Sequence, residues 1–188
     1  MKPEVYLITR NAWKLNAARS AFSKFGIELK QTTEEYHEIQ ADSSIEVARH
    51  TAVEAVKELG APVVREDHSL FIKALGGFPG PYGNYFERKI PAELLLRMMS
   101  GSEDRSAYME LGAALALPTG ELFDFVYRIP LKISESVRGS IGNWHRILML
   151  KDDDETFAET TEESRIDVWS KNYEGIAKKM LELSGKNV

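Results

Sequence analysis

Residues 105–127 constrain the fold more than any other stretch. From Arg105 to Leu117 apolar side chains recur at every second position, with Ala107, Met109, Leu111, Ala113, Leu115 and Leu117 on one face. Period-two alternation is the signature of a strand with one buried face. Pro118-Thr119-Gly120 then turns the chain into Leu122 to Tyr127, which predicts a long antiparallel hairpin. An apolar sheet face needs a covering layer, and segments with helical period supply it. Ala18, Ala21, Phe22 and Phe25 follow the capping residue Asn11 at helical spacing and precede Gly26. Ser43 and Glu46 have the spacing of a capping box, and Ile45, Ala48, Ala52, Ala55, Val56 and Leu59 continue that face to Gly60. Ile176, Met180 and Leu183 line one side of a predicted helix from Tyr173 to Leu183.

Short strands are predicted at Val5–Ile8, Ile27–Gln31, Pro62–Val64, Leu70–Ile72 and Ile147–Leu150. Glu66 and Asp67 are expected in a turn at the end of the third. The run Gly76 to Gly83 reads as a loop whose glycines and prolines forbid regular structure. Pro91 is expected at the first position of a helix through Leu94 to Met99. The class is α/β, a mixed sheet flanked by helices, with one domain over 1–188.

Composition removes several function classes. The chain has no cysteine, so disulfides, thiolate nucleophiles and cysteine-bound zinc are excluded. A reducing compartment suits such a chain, and a cytoplasmic location is expected. No stretch approaches the roughly 20 apolar residues of a membrane span. Met1-Lys2-Pro3-Glu4 runs straight into a strand pattern, unlike a signal peptide. The net charge of −5 argues against nucleic acid as a partner. The charge is uneven, however. Residues 1–24 carry Lys2, Arg10, Lys14, Arg19 and Lys24 against Glu4, while residues 151–163 carry seven acids against Lys151. The basic start has two readings: a solvated helix face, or a surface toward a small polyanion such as a nucleoside triphosphate.

Three features can carry chemistry. The strand–turn–helix from Ile8 to Leu15 presents a helix N-terminus, whose backbone N–H groups hold phosphate, with Asn11 and Lys14 adding a donor and a charge. Glu66-Asp67 offers two carboxylates, and Glu38 is a third that could converge on them, a set that suits Mg²⁺. The loop Leu75 to Gly83 reads as a positioning element. The histidines His37, His50, His68 and His145 lack zinc-site spacing. Neither a P-loop nor a G-x-S-x-G elbow occurs.

In their order these features resemble the inosine triphosphate pyrophosphatases, the HAM1-like family. The family's opening T-G-N-x-x-K turn matches Thr9-Arg10-Asn11-Ala12-Trp13-Lys14. Its acidic pair and A-L-G-G-x-P-G segment match Glu66-Asp67-His68-Ser69-Leu70 and Ala74 to Tyr82. Arg105-Ser106-Ala107-Tyr108, Arg138-Gly139 and Thr156-Phe157-Ala158-Glu159 match later landmarks. The resemblance implies an elongated two-lobed protein with a central cleft, usually a homodimer. It implies Mg²⁺-dependent hydrolysis of a nucleoside triphosphate, non-canonical purine nucleotides included, to monophosphate and pyrophosphate. By position, it implies Glu38 and Glu66 as metal ligands and Asp67 as the residue that orients or deprotonates water. Thr9, Asn11, Lys14, His68, Trp144, Arg165 and Lys171 become substrate contacts.

Departures cluster in the segments expected to read the base. The family's turn glycine is Arg10, its helix lysine falls on Thr51, its F-G-[YW]-D-P segment is Gly142 to Arg146, and its S-H-R triplet falls near Trp169-Ser170-Lys171. Trp144 has two readings, a ring that stacks on a base or a buried anchor. His68 likewise reads as a phosphate contact or a plain turn residue. Two functions of different class follow: a triphosphate pyrophosphatase of open base preference, or a non-catalytic relative that binds a nucleotide or a protein. The retained carboxylates favour the enzyme.

Overall fold

The structure is a computed structural model and describes residues 2–185. Met1 of the signal-peptide reading, and residues 186–188 of the expected domain, lie outside these. In chain order the elements are β1 (Glu4–Ile8), α1 (Ala12–Lys24), β2 (Glu28–Thr32), α2 (Ser44–Leu59), β3 (Val63–Ile72), β4 (Pro79–Gly80), α3 (Gly83–Glu87), α4 (Ala92–Met98), β5 (Ser106–Ala116), β6 (Leu122–Ile133), β7 (Leu148–Leu150), α5 (Ile166–Trp169) and α6 (Lys171–Leu183). Among the described residues the strands follow the order β2-β1-β3-β5-β6-β7, with β4 beside β3. β1 runs parallel to β2 and β3, whereas β4 is antiparallel to β3 and β7 to β6. The sheet is therefore mixed, as the α/β reading expects. Among the described residues no helix is long and apolar enough to cross a membrane.

The chain forms two compact units. The first takes the chain up to Asp67, Leu111–Tyr127 and the chain from Ile166; the second takes His68–Glu110 and Arg128–Arg165. In the first unit, Ala48, Ala52, Ala55 and Val56 of α2 pack against Ile8, Val63, Ala114 and Ala116 of the sheet. Small side chains let helix and sheet approach closely, most of all at Gly112. A Cβ there would lie 2.4 Å from the Ile45 nitrogen and 2.7 Å from the Ser44 carbonyl carbon. α1 packs against α6, with the buried rings of Phe22 and Tyr173 centred 6.1 Å apart. In the second unit the Phe71 ring stacks on Tyr108 at 4.8 Å. Arg128 lies over Tyr108 and pairs through two nitrogens with the buried Glu110 carboxylate.

The structure alters several local expectations. The two short strands around Glu66 and Asp67 are one continuous strand of ten residues, β3. Pairing with β1 at Val63 to Arg65 and with β4 at Leu70 and Phe71 holds both ends of it extended. Glu66 and Asp67 are thus mid-strand residues. The segment Gly76 to Gly83 is not free of regular structure, since Pro79–Gly80 forms β4 and Gly83 opens α3. Proline fits β4 because an edge strand of two residues spares its missing N–H. Ser43 does occupy the N-cap of α2, but its hydroxyl meets the Glu46 carboxylate at 2.8 Å and caps no backbone N–H. Pro91 is the N-cap of α4, with ψ of 153°, one position earlier than expected. The hairpin's second strand continues past Tyr127 to Ile133, where β7 pairs with it.

Candidate active site

β1 ends at Ile8, and the next residues form the start of α1. Thr9 is buried, and its hydroxyl accepts the Asn11 N–H at 3.1 Å. The Asn11 carboxamide oxygen then accepts the N–H groups of Trp13 at 2.8 Å and Lys14 at 3.3 Å. Two of the helix's unpaired donors are thereby satisfied. Asn11→Ala is expected to cost about 1 kcal/mol of stability, read as a lowered denaturant midpoint at constant slope. An unchanged midpoint would show that the cap is dispensable.

Lys14 turns from α1 onto β3, and its ammonium donates to the Glu66 carbonyl oxygen at 2.9 Å. Burial lowers its pKa, and the charges of Asp67 and Glu66 oppose that shift. A lysine at a helix N-terminus, seated on a strand carbonyl beside an acidic pair, is an electropositive point with hard oxygen neighbours.

Alternation along β3 sorts the carboxylates. Val63 packs against α2, so Arg65 and Asp67 share its side of the strand, while Glu66 points the other way. Glu66 is only 2 % exposed. Its carboxylate accepts the Tyr173 hydroxyl at 2.6 Å and lies 3.5 Å from the Asn172 amide nitrogen. Asn172 also donates to the Leu111 carbonyl at 2.7 Å. Burial, with the Glu66 charge beside it, raises the Tyr173 pKa well above its ordinary value, which keeps the hydroxyl a donor. Glu38 instead pairs with the Arg65 guanidinium, which also donates to the Ile8 carbonyl at 3.2 Å. The expected metal ligands Glu38 and Glu66 therefore serve opposite sides of β3. Among the described residues no group of three or more His, Asp or Glu side chains could hold an ion by itself.

Removing the Tyr173 hydroxyl would take a short donor from a buried carboxylate. Tyr173→Phe is expected to cost about 1–3 kcal/mol, measured by denaturation, with an accompanying loss of any activity that needs Glu66 in place. Wild-type stability would mean that the hydroxyl does not hold Glu66.

The remaining expected contacts fall as follows. Lys171 opens α6 in the first unit, exposed, with its ammonium 3.6 Å from Glu174. His68 is half-buried on β3, the first residue of the second unit. Trp144 and Arg165 also belong to the second unit. Trp144 is buried, and its indole N–H donates to the Ile90 carbonyl at 2.8 Å, so its packing fits the anchor reading rather than an exposed stacking face. Its neighbour Asn143 ties the same segment, donating to the carbonyls of Glu87 and Ile90 and accepting the Ala92 N–H. Arg165 is buried against the Phe157 ring at 4.5 Å and bonds Thr160. Arg65, Asn172 and Tyr173 belong to none of the sequence motifs. Only Arg65, a charge inside an apolar strand beside an acidic pair, carried a local signal.

The Ham1 family model matches residues 5–177. The chain belongs to the Ham1 family. A dITP/XTP pyrophosphatase of Ignicoccus hospitalis is 40% identical over 162 residues, covering 85% of this chain and 86% of that protein. One from Methanopyrus kandleri is 36% identical over 157 residues, covering 83% and 84%. The crystal structure of a nucleoside-triphosphatase, dITP/XTP pyrophosphatase, from Mycobacterium abscessus superposes with a TM-score of 0.72 at 28% identity, covering 93% of this chain and 96% of that one. The Staphylococcus aureus Ham1 protein shares the fold, with a TM-score of 0.78 at 22% identity, covering 96% of this chain and 99% of that one. Within this Ham1-family chain, Thr9, Asn11, Lys14, Glu66 and Asp67 thus lie in the segment that the family model covers.

Proposed function

We infer that this chain is a nucleoside triphosphate pyrophosphatase, a hydrolase that cleaves the bond between the α- and β-phosphates to release monophosphate and pyrophosphate. The observation that carries the reading is Lys14, at the capped start of α1, whose ammonium rests on the Glu66 carbonyl oxygen beside Asp67. The activity named for the Ignicoccus and Methanopyrus relatives supports it.

In this reading the start of α1 and Lys14 receive the phosphates, because the ammonium and the positive end of the helix dipole favour an anion there. Thr9 and Asn11 hold that turn in shape. Asp67, half-buried and turned away from Glu66, accepts a proton from the attacking water. Glu66 is a buried support, fixed by Tyr173 and Asn172. The donor set fits a divalent cation such as Mg²⁺, since Glu38 and Asp67 are hard oxygen ligands on one side of β3 and such an ion takes one or two carboxylates plus phosphate oxygens. When bound, it neutralises charge on the phosphate oxygens. Lys171 and His68 are further candidate contacts. A homodimer in the cytoplasm completes the proposal, in keeping with the family resemblance and the lack of cysteine.

The test is pyrophosphate release with Mg²⁺ across dITP, ITP, XTP and the four standard triphosphates. Turnover of at least one, abolished by EDTA, is expected. No turnover of any would leave a non-catalytic binding protein. The panel also reads base preference.

A further inference from the structure

We propose that Arg65 is a phosphate-binding residue of this site, held by Glu38 until a triphosphate takes its place. The inference rests on the pyrophosphatase reading and extends its binding residues. Arg65 stands on β3 immediately before Glu66, and its side chain is only 17% exposed. Its Nη1 donates to the Ile8 carbonyl and its Nη2 to the Glu38 carboxylate, while its Nε is buried without a hydrogen-bond partner. A guanidinium has five donors in a planar fork suited to phosphate oxygens, so this one keeps capacity that the protein does not use. Its position is also costly unless an anion is near. The Lys14 ammonium bonds the carbonyl of Glu66, the residue next to Arg65, so two cations stand at neighbouring positions of β3.

Arg65 and Asp67 lie two residues apart on one side of β3, about 7 Å along the strand. Ile8, paired in register with Arg65, leads into the turn that caps α1. A polyphosphate held by Lys14, whose ammonium rests on the carbonyl of the residue after Arg65, is then within reach of the Arg65 guanidinium. Glu38 is the residue that can let go, because its side chain is 61% exposed and loses little on returning to water. Release of Glu38 turns the guanidinium fork toward phosphate and leaves the Glu38 carboxylate to other cations.

The test measures binding, without turnover, by calorimetry at fixed ionic strength in EDTA. The probes are inorganic tripolyphosphate and an α,β-imido nucleoside triphosphate. Arg65→Met is expected to weaken both about tenfold or more, the scale of one charged hydrogen bond, and to leave the parent nucleoside unaffected. Glu38→Gln is expected to tighten both, and Arg65→Met placed in the Glu38→Gln background to abolish that gain. Equal binding by wild type and Arg65→Met, with matched far-UV spectra and thermal midpoints, would overturn the proposal. So would a Glu38→Gln gain that survives loss of Arg65. If Arg65→Met misfolds, Arg65→Lys serves, expected to bind between the two because it keeps charge without the fork. A wild type that hydrolyses triphosphates but is indifferent to Arg65 sinks this inference alone. A wild type that hydrolyses none sinks the function reading instead.

Discussion

Asp67→Asn is expected to lower kcat by about 10²- to 10⁴-fold, the usual contribution of a positioned general base. The amide keeps the shape of the carboxylate and removes only its charge and basicity. β3 holds the residue extended by its pairings on either side, so the backbone should not move. An α,β-imido nucleotide should still bind in EDTA, because Lys14 and the start of α1 are untouched. Loss of the Asp67 charge also removes its repulsion of the phosphates, so nucleotide binding should hold or tighten while kcat falls. Single-turnover kinetics with direct binding separate the two effects. Turnover at the wild-type rate would remove Asp67 from the mechanism.

Gly112→Ala is expected to be the most destabilising single methyl in the first unit. The added carbon would sit within 2.8 Å of three backbone atoms of Ser44 and Ile45, and backbone at a helix start cannot swing aside as a side chain does. Overpacking of this kind costs about 1–3 kcal/mol or more, so the thermal midpoint should fall by about 5 °C or more for a chain of this size. The strain also has a direction. Gly112 follows Leu111, whose carbonyl anchors Asn172 beside Glu66. A shifted β5 would thus reduce activity even at temperatures where the variant stays folded. An unchanged midpoint would mean that α2 sits farther from β5 than described.

The sheet and its helices were largely legible in the sequence because they rest on local periodicity. Alternation revealed the hairpin, helical spacing revealed α1, α2 and α6, and Asn11 announced its cap. Errors arose where a long-range partner decides. Glu66-Asp67 reads as a turn until β1 and β4 are known to pair on either side of it. Pro79-Gly80 reads as loop until β3 lies beside it. Ser43 has a capping box's spacing, but its hydroxyl finds the Glu46 carboxylate first. The site divides in the same way. Contiguous motifs exposed Asn11, Lys14, Glu66 and Asp67, whereas Tyr173 looked like an ordinary helix residue because its partner is 107 positions away. Trp144 supports two readings in the sequence, and the anchor gains its support from a carbonyl 54 residues distant that accepts the indole N–H.

The same separation sets a schedule. Glu66 is synthesised long before Asn172 and Tyr173, which follow it by 106 and 107 positions. At a translation rate of about 5–20 residues per second, the growing chain waits roughly 5–20 s for those partners. Until α6 docks, the buried carboxylate remains in water and the strand that carries it is unfinished. In the proposed site, phosphate chemistry at Lys14 and Asp67 would therefore become available only late in the making of each molecule, even though both residues emerge early.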